Sequence, residues 1–382
     1  MTFVNTVRRS AVLTALASLL STRLPLVLIG LIAVTAVGTW PATTAEALWR
    51  VSSREIPNML ARWDTYWYLS ISTDGYSWDP AVFRHANVVF FPLYPLLMRW
   101  VGALIGHHPL IAGLVVSLTC FTAAMTLLYR LAVLEFGDAG AWPVILLIST
   151  YPFAIFYSLV YTESLFLFVT VGAFYAARRN WPLLTAAFGF AAGLARPNGM
   201  WLVAPLLWMA LERPAPSRVR RWCVIAAAFA PIVGTIAYSS YLFVRFGDAL
   251  AWVHGQAAWG LPLALRGSAH DAPEFTRAPM QLYTDIMMWT LNIAAFSLAV
   301  FSLLPIWRRF GMPYVLWIAM NIGPPVAAHL FMSAGRFTSV LFPIFFWLAT
   351  IVRPPRLWRV AGVFAAAQAG LAALFFLWYP VV

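Results

Sequence analysis

The sequence predicts an all-α polytopic membrane protein of about eleven transmembrane helices, with amphipathic helices in a large first loop. Three observations predict it. Of 382 residues, 62% are hydrophobic and 10% charged, where a soluble domain carries roughly a quarter charged residues; mean hydropathy is +0.79. The apolar residues fall in runs of about 20, the length a helix needs to cross the hydrocarbon core. The basic residues are all arginine and many lie in short tracts between apolar runs, as in the cytoplasmic loops of membrane proteins. An ordinary soluble enzyme is excluded. The net charge of +12, from 25 basic and 13 acidic residues, reads as topology, because no polar basic domain with base-reading side chains is present; nucleic acid is not an expected partner.

Residues 1–23 resemble a signal peptide but lack a small-residue cleavage site, and are expected to form a cytoplasmic, partly amphipathic lead-in containing Arg8, Arg9 and Arg23. The expected spans are 24–41, 110–134, 141–160, 163–178, 182–196, 199–212, 222–243, 283–305, 313–332, 337–352 and 358–380. Pro152, Pro205, Pro231, Pro305, Pro324, Pro325 and Pro343 lie within or beside them and imply kinks. With the N-terminus inside, the inside connections contain Arg130, Arg178 and Arg179, Arg213 to Arg221, Arg308 and Arg309, and Arg353 to Arg359. Counting 88–106 as a span would invert these loops, so it is expected to lie on or dip into the outer leaflet. Cys120 and Cys223 sit in apolar runs and imply no disulfide framework. The chain reads as one domain, 1–382, whose large outside loops are 42–109 and 244–282.

The first outside loop holds IPNMLARWDTYWYLSI, expected to be an amphipathic helix at the membrane surface that places Asp64 at the lipid-water boundary beside Trp63 and Trp67. A partly desolvated carboxylate there is able to accept a proton; a solvated acid pairing with Arg62, or capping a turn, is the plainer alternative. Asp74 and Asp79 read first as turn residues, and Arg84 and His85 as solvated loop residues. Glu163, Arg196, Asn198 and Arg336 lie at the outer ends of spans. Charges in apolar flanks are expensive and point to a site, against helix-start electrostatics for Glu163 and snorkelling for the arginines. The topology delivers Asp64, Glu163, Arg196 and Arg336 to one face. The second loop brings Asp248, His254 and Gln256 together with Trp252 and Trp259, aromatic faces and polar donors suited to a sugar ring, although an interfacial belt also contains tryptophan. No metal-ligand spacing surrounds His254, so no metal site and no cofactor is expected.

The segments RWDTYWYLSISTDGY, FFPLYPLL, YPFAIFYSLVYTESLFLF, GLARPNG, FGDALAWVHGQAAWG and SAGRFTSVLFPIF run in order from about residue 60 to 350. In them the chain resembles the PIG-V type mannosyltransferases of the GT-C superfamily. The resemblance implies a GT-C-like bundle, a polyprenyl-phosphate-linked mannose donor, a glycolipid or glycan acceptor, an active site on the extracytoplasmic face, and a catalytic aspartate at Asp64, which is expected to act as the base. Arg336 and Arg196 are then expected to stabilise the donor phosphate, and Glu163, Asn198, His254, Gln256, Trp63 and Arg62 to bind sugar or acceptor. The absence of lysine and the compact outside loops fit a member from a bacterial cell membrane. A different class remains open: a lipid or polysaccharide transporter, in which the same charges line a path. Transporters place such residues near the bilayer midplane and show two similar halves, whereas these cluster at span ends.

Overall fold

An apolar helix closes its own backbone hydrogen bonds, so the positions where helices break decide where a membrane chain needs polar side chains inside. The computed structural model describes residues 10–38, 50–52, 54–79, 86–212, 217–256, 279–327, 333–379 and 381, whose regular elements are all helical, with no strand among them. Arg84, His85 and Trp259 lie outside the described residues, as does most of the second outside loop.

Helix α1 (Ala11–Ala36) starts at Ser10, whose side chain accepts from the Leu13 amide. It runs unbroken through Arg23, so the expected lead-in and first span are one helix and Arg23 is not a loop cation. The first loop then carries α2 (Glu55–Met59), α3 (Thr65–Thr73), a 3₁₀ turn (Asn87–Val89) and α4 (Leu93–Leu104). IPNMLARWDTYWYLSI is therefore two helices and not one; the chain turns at Trp63, which adopts a left-handed φ of 52°. Helix α4 is about 18 Å long at 1.5 Å per residue, too short to cross the membrane by itself. Its Arg99 donates to the Ser72 and Thr73 carbonyls, each at 2.9 Å, and so caps the last turn of α3.

Helix α5 (Pro109–Phe136) leads to α6 (Asp138–Thr150), which stops at Tyr151 because Pro152 disfavours a helical conformation in the residue before it. A 3₁₀ helix (Pro152–Ser158) leaves at 84°, so the expected span 141–160 is broken. Its freed carbonyls explain two buried polar side chains. Arg23, 3% exposed, donates to the Ser149 and Ala154 carbonyls and, at 3.2 Å, to Ser158 Oγ. Gln368 Nε2 donates to the Ser149 and Tyr151 carbonyls at 3.3 and 3.1 Å.

Helices α7 (Glu163–Arg178) and α8 (Pro182–Ala195), a 3₁₀ helix (Pro197–Leu202), α9 (Val203–Glu212), α10 (Arg218–Ala228), α11 (Ala230–Phe246) and the short α12 (Ala251–His254) follow. The chain closes with α13 (Pro279–Phe310), α14 (Met312–Ala327), α15 (Ala334–Ser339), α16 (Phe342–Ile351) and α17 (Arg356–Phe376). Helix α7 is the central strut, packed on α5 and α8 and buried along most of its length. Helices α8 and α11 touch backbone to backbone: a Cβ at Gly193 would lie 2.0 Å from the Pro231 carbonyl, and one at Gly234 2.2 Å from that of Phe190. Among the described residues, four helices are long and apolar enough to cross a membrane, or six spans if the bent pairs α6 with its 3₁₀ continuation and α10 with α11 are each counted as one. Several expected spans appear instead as shorter apolar helices, α8, α14 and α16 among them.

The two ends of the bundle differ chemically. At one end Arg178 Nε pairs with Glu135 at 2.7 Å, and Tyr314 donates to the same carboxylate at 2.7 Å. Phe136 meets Phe310 and Phe346 there, and Trp142 meets Trp358. The ends carrying Arg178, Arg308, Arg309 and Arg356 are thereby gathered together. The opposite end holds Asp64, Glu163, Arg196 and Arg336.

Replacing Arg23 by Met is expected to destabilise the protein by about 1–3 kcal/mol per carbonyl left unpaired, read as a lower thermal midpoint in detergent. Because Arg23 and Gln368 share the Ser149 carbonyl, adding Gln368→Leu should cost more than the sum of the single changes; simple additivity would contradict the shared cap.

Candidate active site

The turn Leu60–Asp64 is held from below. Arg62 is fully buried; its guanidinium pairs with Glu55, donates to the Phe376 carbonyl at 2.8 Å and lies 4.3 Å from the Trp378 ring. Arg62, expected to bind sugar or acceptor, thus has Nη2 committed to Glu55 on α2 and to the Phe376 carbonyl at the end of α17. Trp63 packs edge-on against Trp378 at 5.7 Å, and Trp378 is itself left-handed with φ of 72°. A non-glycine residue in that region costs on the order of 1–3 kcal/mol, which these contacts offset. Tyr161 completes the anchor: its hydroxyl donates to the Arg62 carbonyl and accepts from the Asp64 amide, both at 3.2 Å.

Asp64 occupies the residue before α3, yet its carboxylate makes no capping bond to that helix. It reaches Arg336 instead, with Oδ2 2.6 Å from Nη1, so the expected alternative of an Asp64–Arg62 pair does not form. Arg336 stands on α15, where the Gly335 amide donates to Asn292 Oδ1 at 2.7 Å. A side chain at Gly335 would put Cβ 2.0 Å from the Phe153 ring, so glycine is required for this approach. The guanidinium lies between the rings of Phe156 and Tyr161, at 5.1 and 4.7 Å.

Arg336 Nε also pairs with Glu163, the first residue of α7. The same Glu163 oxygen, Oε1, accepts from Arg196 Nη1 at 3.0 Å. Arg196 is extended because Pro197 follows it, which ends α8 and swings the side chain toward Glu163. Its guanidinium lies 5.5 Å from Phe166 and 5.4 Å from Phe337. The result is a ladder Asp64–Arg336–Glu163–Arg196 with two charges of each sign. Neither arginine snorkels alone. Glu163 Oε2 is buried without a hydrogen-bond partner. Side-chain exposure is 0% for Glu163, 9% for Arg336, 11% for Arg196 and 20% for Asp64, so Asp64 is the carboxylate that an arriving molecule meets.

The remaining expected residues lie around this ladder or apart from it. Asn198 Nδ2 donates to Asn321 Oδ1 at 2.7 Å, and Asn321 donates to the Trp317 carbonyl. His254 is exposed and its Nδ1 lies 2.8 Å from Asp248 Oδ2; Gln256 is half-buried just beyond it. His254 ends α12, which packs on the 3₁₀ turn Asn87–Val89. Sequence reasoning passed over Tyr161, Asn321 and Asn292. Tyr161 alone carried a signal, standing two residues before Glu163 in YTES.

A separate groove of about 640 Å³ runs between α2, the outer face of α3 and the start of α5, with Leu60, Tyr66, Leu69, Leu110 and Leu114 in its wall. None of the four ladder residues lines it, but Leu60 and Tyr66 flank Asp64 in the chain. Among the described residues no three His, Cys, Asp or Glu side chains group in a way that could hold a metal ion.

Arg336→Met would leave Glu163 with one cation and Asp64 with none, and is expected to cost about 3–5 kcal/mol, the usual penalty for breaking a buried pair. Adding Glu163→Gln should recover part of that loss in chemical denaturation, since the uncompensated carboxylate is its source; a double variant no more stable than the single would refute the burial.

Residues 25–213 match the family described as Mannosyltransferase (PIG-V), a region that contains Asp64, Glu163 and Arg196 and stops short of Arg336. GPI alpha-1,6-mannosyltransferase 2 of Rattus norvegicus is 29% identical over 234 residues, covering 56% of this chain and 43% of that protein. GPI mannosyltransferase 2 of Drosophila pseudoobscura pseudoobscura is 26% identical over 121 residues, 29% of this chain and 25% of that protein. The chain thus spans less than half the length of these curated relatives. Among solved structures, an Archaeoglobus fulgidus oligosaccharyltransferase crystallised with zinc and sulfate aligns over 93% of this chain and 53% of its own, with a TM-score of 0.43 and 15% identity. Over residues 25–213, just under half of its length, the chain is therefore similar to the PIG-V mannosyltransferases.

Proposed function

We propose that this protein is an inverting glycosyltransferase that moves a mannosyl unit from a polyprenyl-phosphate sugar to a glycolipid or glycan acceptor, at the extracytoplasmic end of its helix bundle. The observation that carries the reading is the ladder itself, a partly exposed carboxylate bridged by a guanidinium to a buried one, at one end of an apolar bundle. The family relationship supports mannose as the sugar.

The chemistry asks for one base and for cations. The acceptor hydroxyl gives its proton to Asp64 while its oxygen attacks the anomeric carbon; the bond from that carbon to the phosphate oxygen breaks on the opposite side, and polyprenyl phosphate leaves with the electron pair. Arg336, held at the boundary between Asp64 and Glu163, turns donors toward the departing phosphate, and Arg196 adds a second cation. Glu163 keeps both guanidiniums in place, because it is the carboxylate they share. Trp63, Asn198, His254 and Gln256 remain the proposed contacts to sugar or acceptor, His254 through the ring nitrogen that Asp248 leaves free. The apolar groove behind α3 has the character needed by a lipid part of a substrate, and its walls flank the proposed base.

A transporter would need its polar groups available along a path. The buried Arg23 and Gln368 are instead committed to backbone carbonyls, which favours the enzyme.

Asp64→Asn should lower sugar transfer in proteoliposomes at least about 100-fold, the low end of what a positioned base contributes, with unchanged expression; turnover close to wild type would remove the mechanism. Arg62 is a positioning residue in this scheme, so Arg62→Lys should reduce kcat while KM for donor and acceptor stays near its original value. A rise in KM alone would mean that Arg62 touches substrate.

A further inference from the structure

At the arginine-rich end of the bundle, the loop joining α7 to α8 meets the start of α10. The Arg220 guanidinium donates to the Asn180 carbonyl, tying the two segments together. Between them lies a cavity of about 400 Å³ lined by Trp181, Pro182, Leu183, Leu184 and Arg220. Arg179 stands against its Trp181 wall, with the guanidinium 5.3 Å from the ring. Arg218 and Arg221 flank Arg220 and are exposed. No carboxylate lines the cavity, and among the described residues none forms an ion pair with these four arginines.

The apolar part of the surface is equally distinct. Leu183 is 82% exposed and Val219 74%, with Trp181 and Trp222 beside them at 40% and 61%. Aromatic and aliphatic groups in such a position face lipid near the headgroup layer. A ligand for this place must therefore be anionic at one end and apolar at the other. A soluble anion matches the arginines alone, and a neutral lipid matches the leucines alone.

We propose that this cavity binds an anionic phospholipid of the adjoining leaflet, its phosphate held between Arg179 and Arg220 and an acyl chain lying along Leu183 and Leu184. The guanidinium offers paired N–H donors to phosphate oxygens. The bond from Arg220 to Asn180 sets that arginine in place before lipid arrives. The site lies at the end of the bundle away from Asp64 and does not rest on the proposed sugar transfer.

The test uses the full chain purified in neutral detergent and titrated with phosphatidylglycerol, phosphatidylcholine or inorganic phosphate, reading the thermal midpoint and, by native mass spectrometry, retained lipid. Phosphatidylglycerol should raise the midpoint and be retained. Arg179→Ala and Arg220→Ala should each weaken its apparent affinity on the order of fivefold, from the usual contribution of one basic residue near an anionic surface, and Arg308→Ala with Arg309→Ala should leave it unchanged. Arg179→Ala breaks no backbone bond, so it decides the matter if the Arg220 variant fails to fold. Equal stabilisation by phosphatidylcholine, full stabilisation by phosphate alone, or unchanged affinity in Arg179→Ala would each overturn the assignment.

Discussion

Glu163 is a carboxylate with no exposed surface, set at the start of the central helix of an apolar bundle. Such a charge is tolerated only with partners at hydrogen-bonding distance, because its desolvation costs several kcal/mol. It has two: Arg196, just past the end of α8, and Arg336, within the short α15. Arg336 has a second face, which Asp64 occupies. The charged ladder is the physical link between the first loop, the central helix and the segment before α16.

Asp64 is fixed from the other direction. Two tryptophans in left-handed conformations, one beside Asp64 and one just past α17, lean on each other while the buried Arg62 ties the same two segments. A loop at a membrane surface would otherwise sample many arrangements, and a base must be placed within a hydrogen bond of its target. The C-terminal helix thus acts on the proposed chemistry without reaching it. The break in α6 follows the same logic elsewhere: a proline frees carbonyls, and Arg23 and Gln368 occupy them.

Much of this was legible in the sequence. Low charge and long apolar runs fixed the class, and the placement of arginine separated the two ends, because both follow from the cost of moving charge into hydrocarbon. The meeting of Asp64, Glu163, Arg196 and Arg336 followed from that separation. What escaped were contacts made across long sequence distances. Arg23 looked like a loop cation because an arginine inside a helix and one beside it have the same neighbours; the Ser10 cap upstream was the signal that the helix had already begun. Arg62 seemed to share the work of Asp64 because they are two residues apart, whereas the left-handed Trp63 between them sends the two side chains to different partners. Asn321 meets Asn198 from 123 residues away, and nothing local marks it. Gln368, the one polar residue in the apolar stretch that follows Arg359, did carry a signal, since a buried polar group must have a partner.

The proposed transfer depends on which side chains meet the donor phosphate. A structure of the full-length chain with polyprenyl phosphate bound would decide it. Phosphate oxygens are expected within about 3 Å of the Arg336 or Arg196 guanidinium, with Asp64 open on the side where an acceptor approaches. A phosphate seated away from both arginines, with the ladder intact and closed, would contradict it.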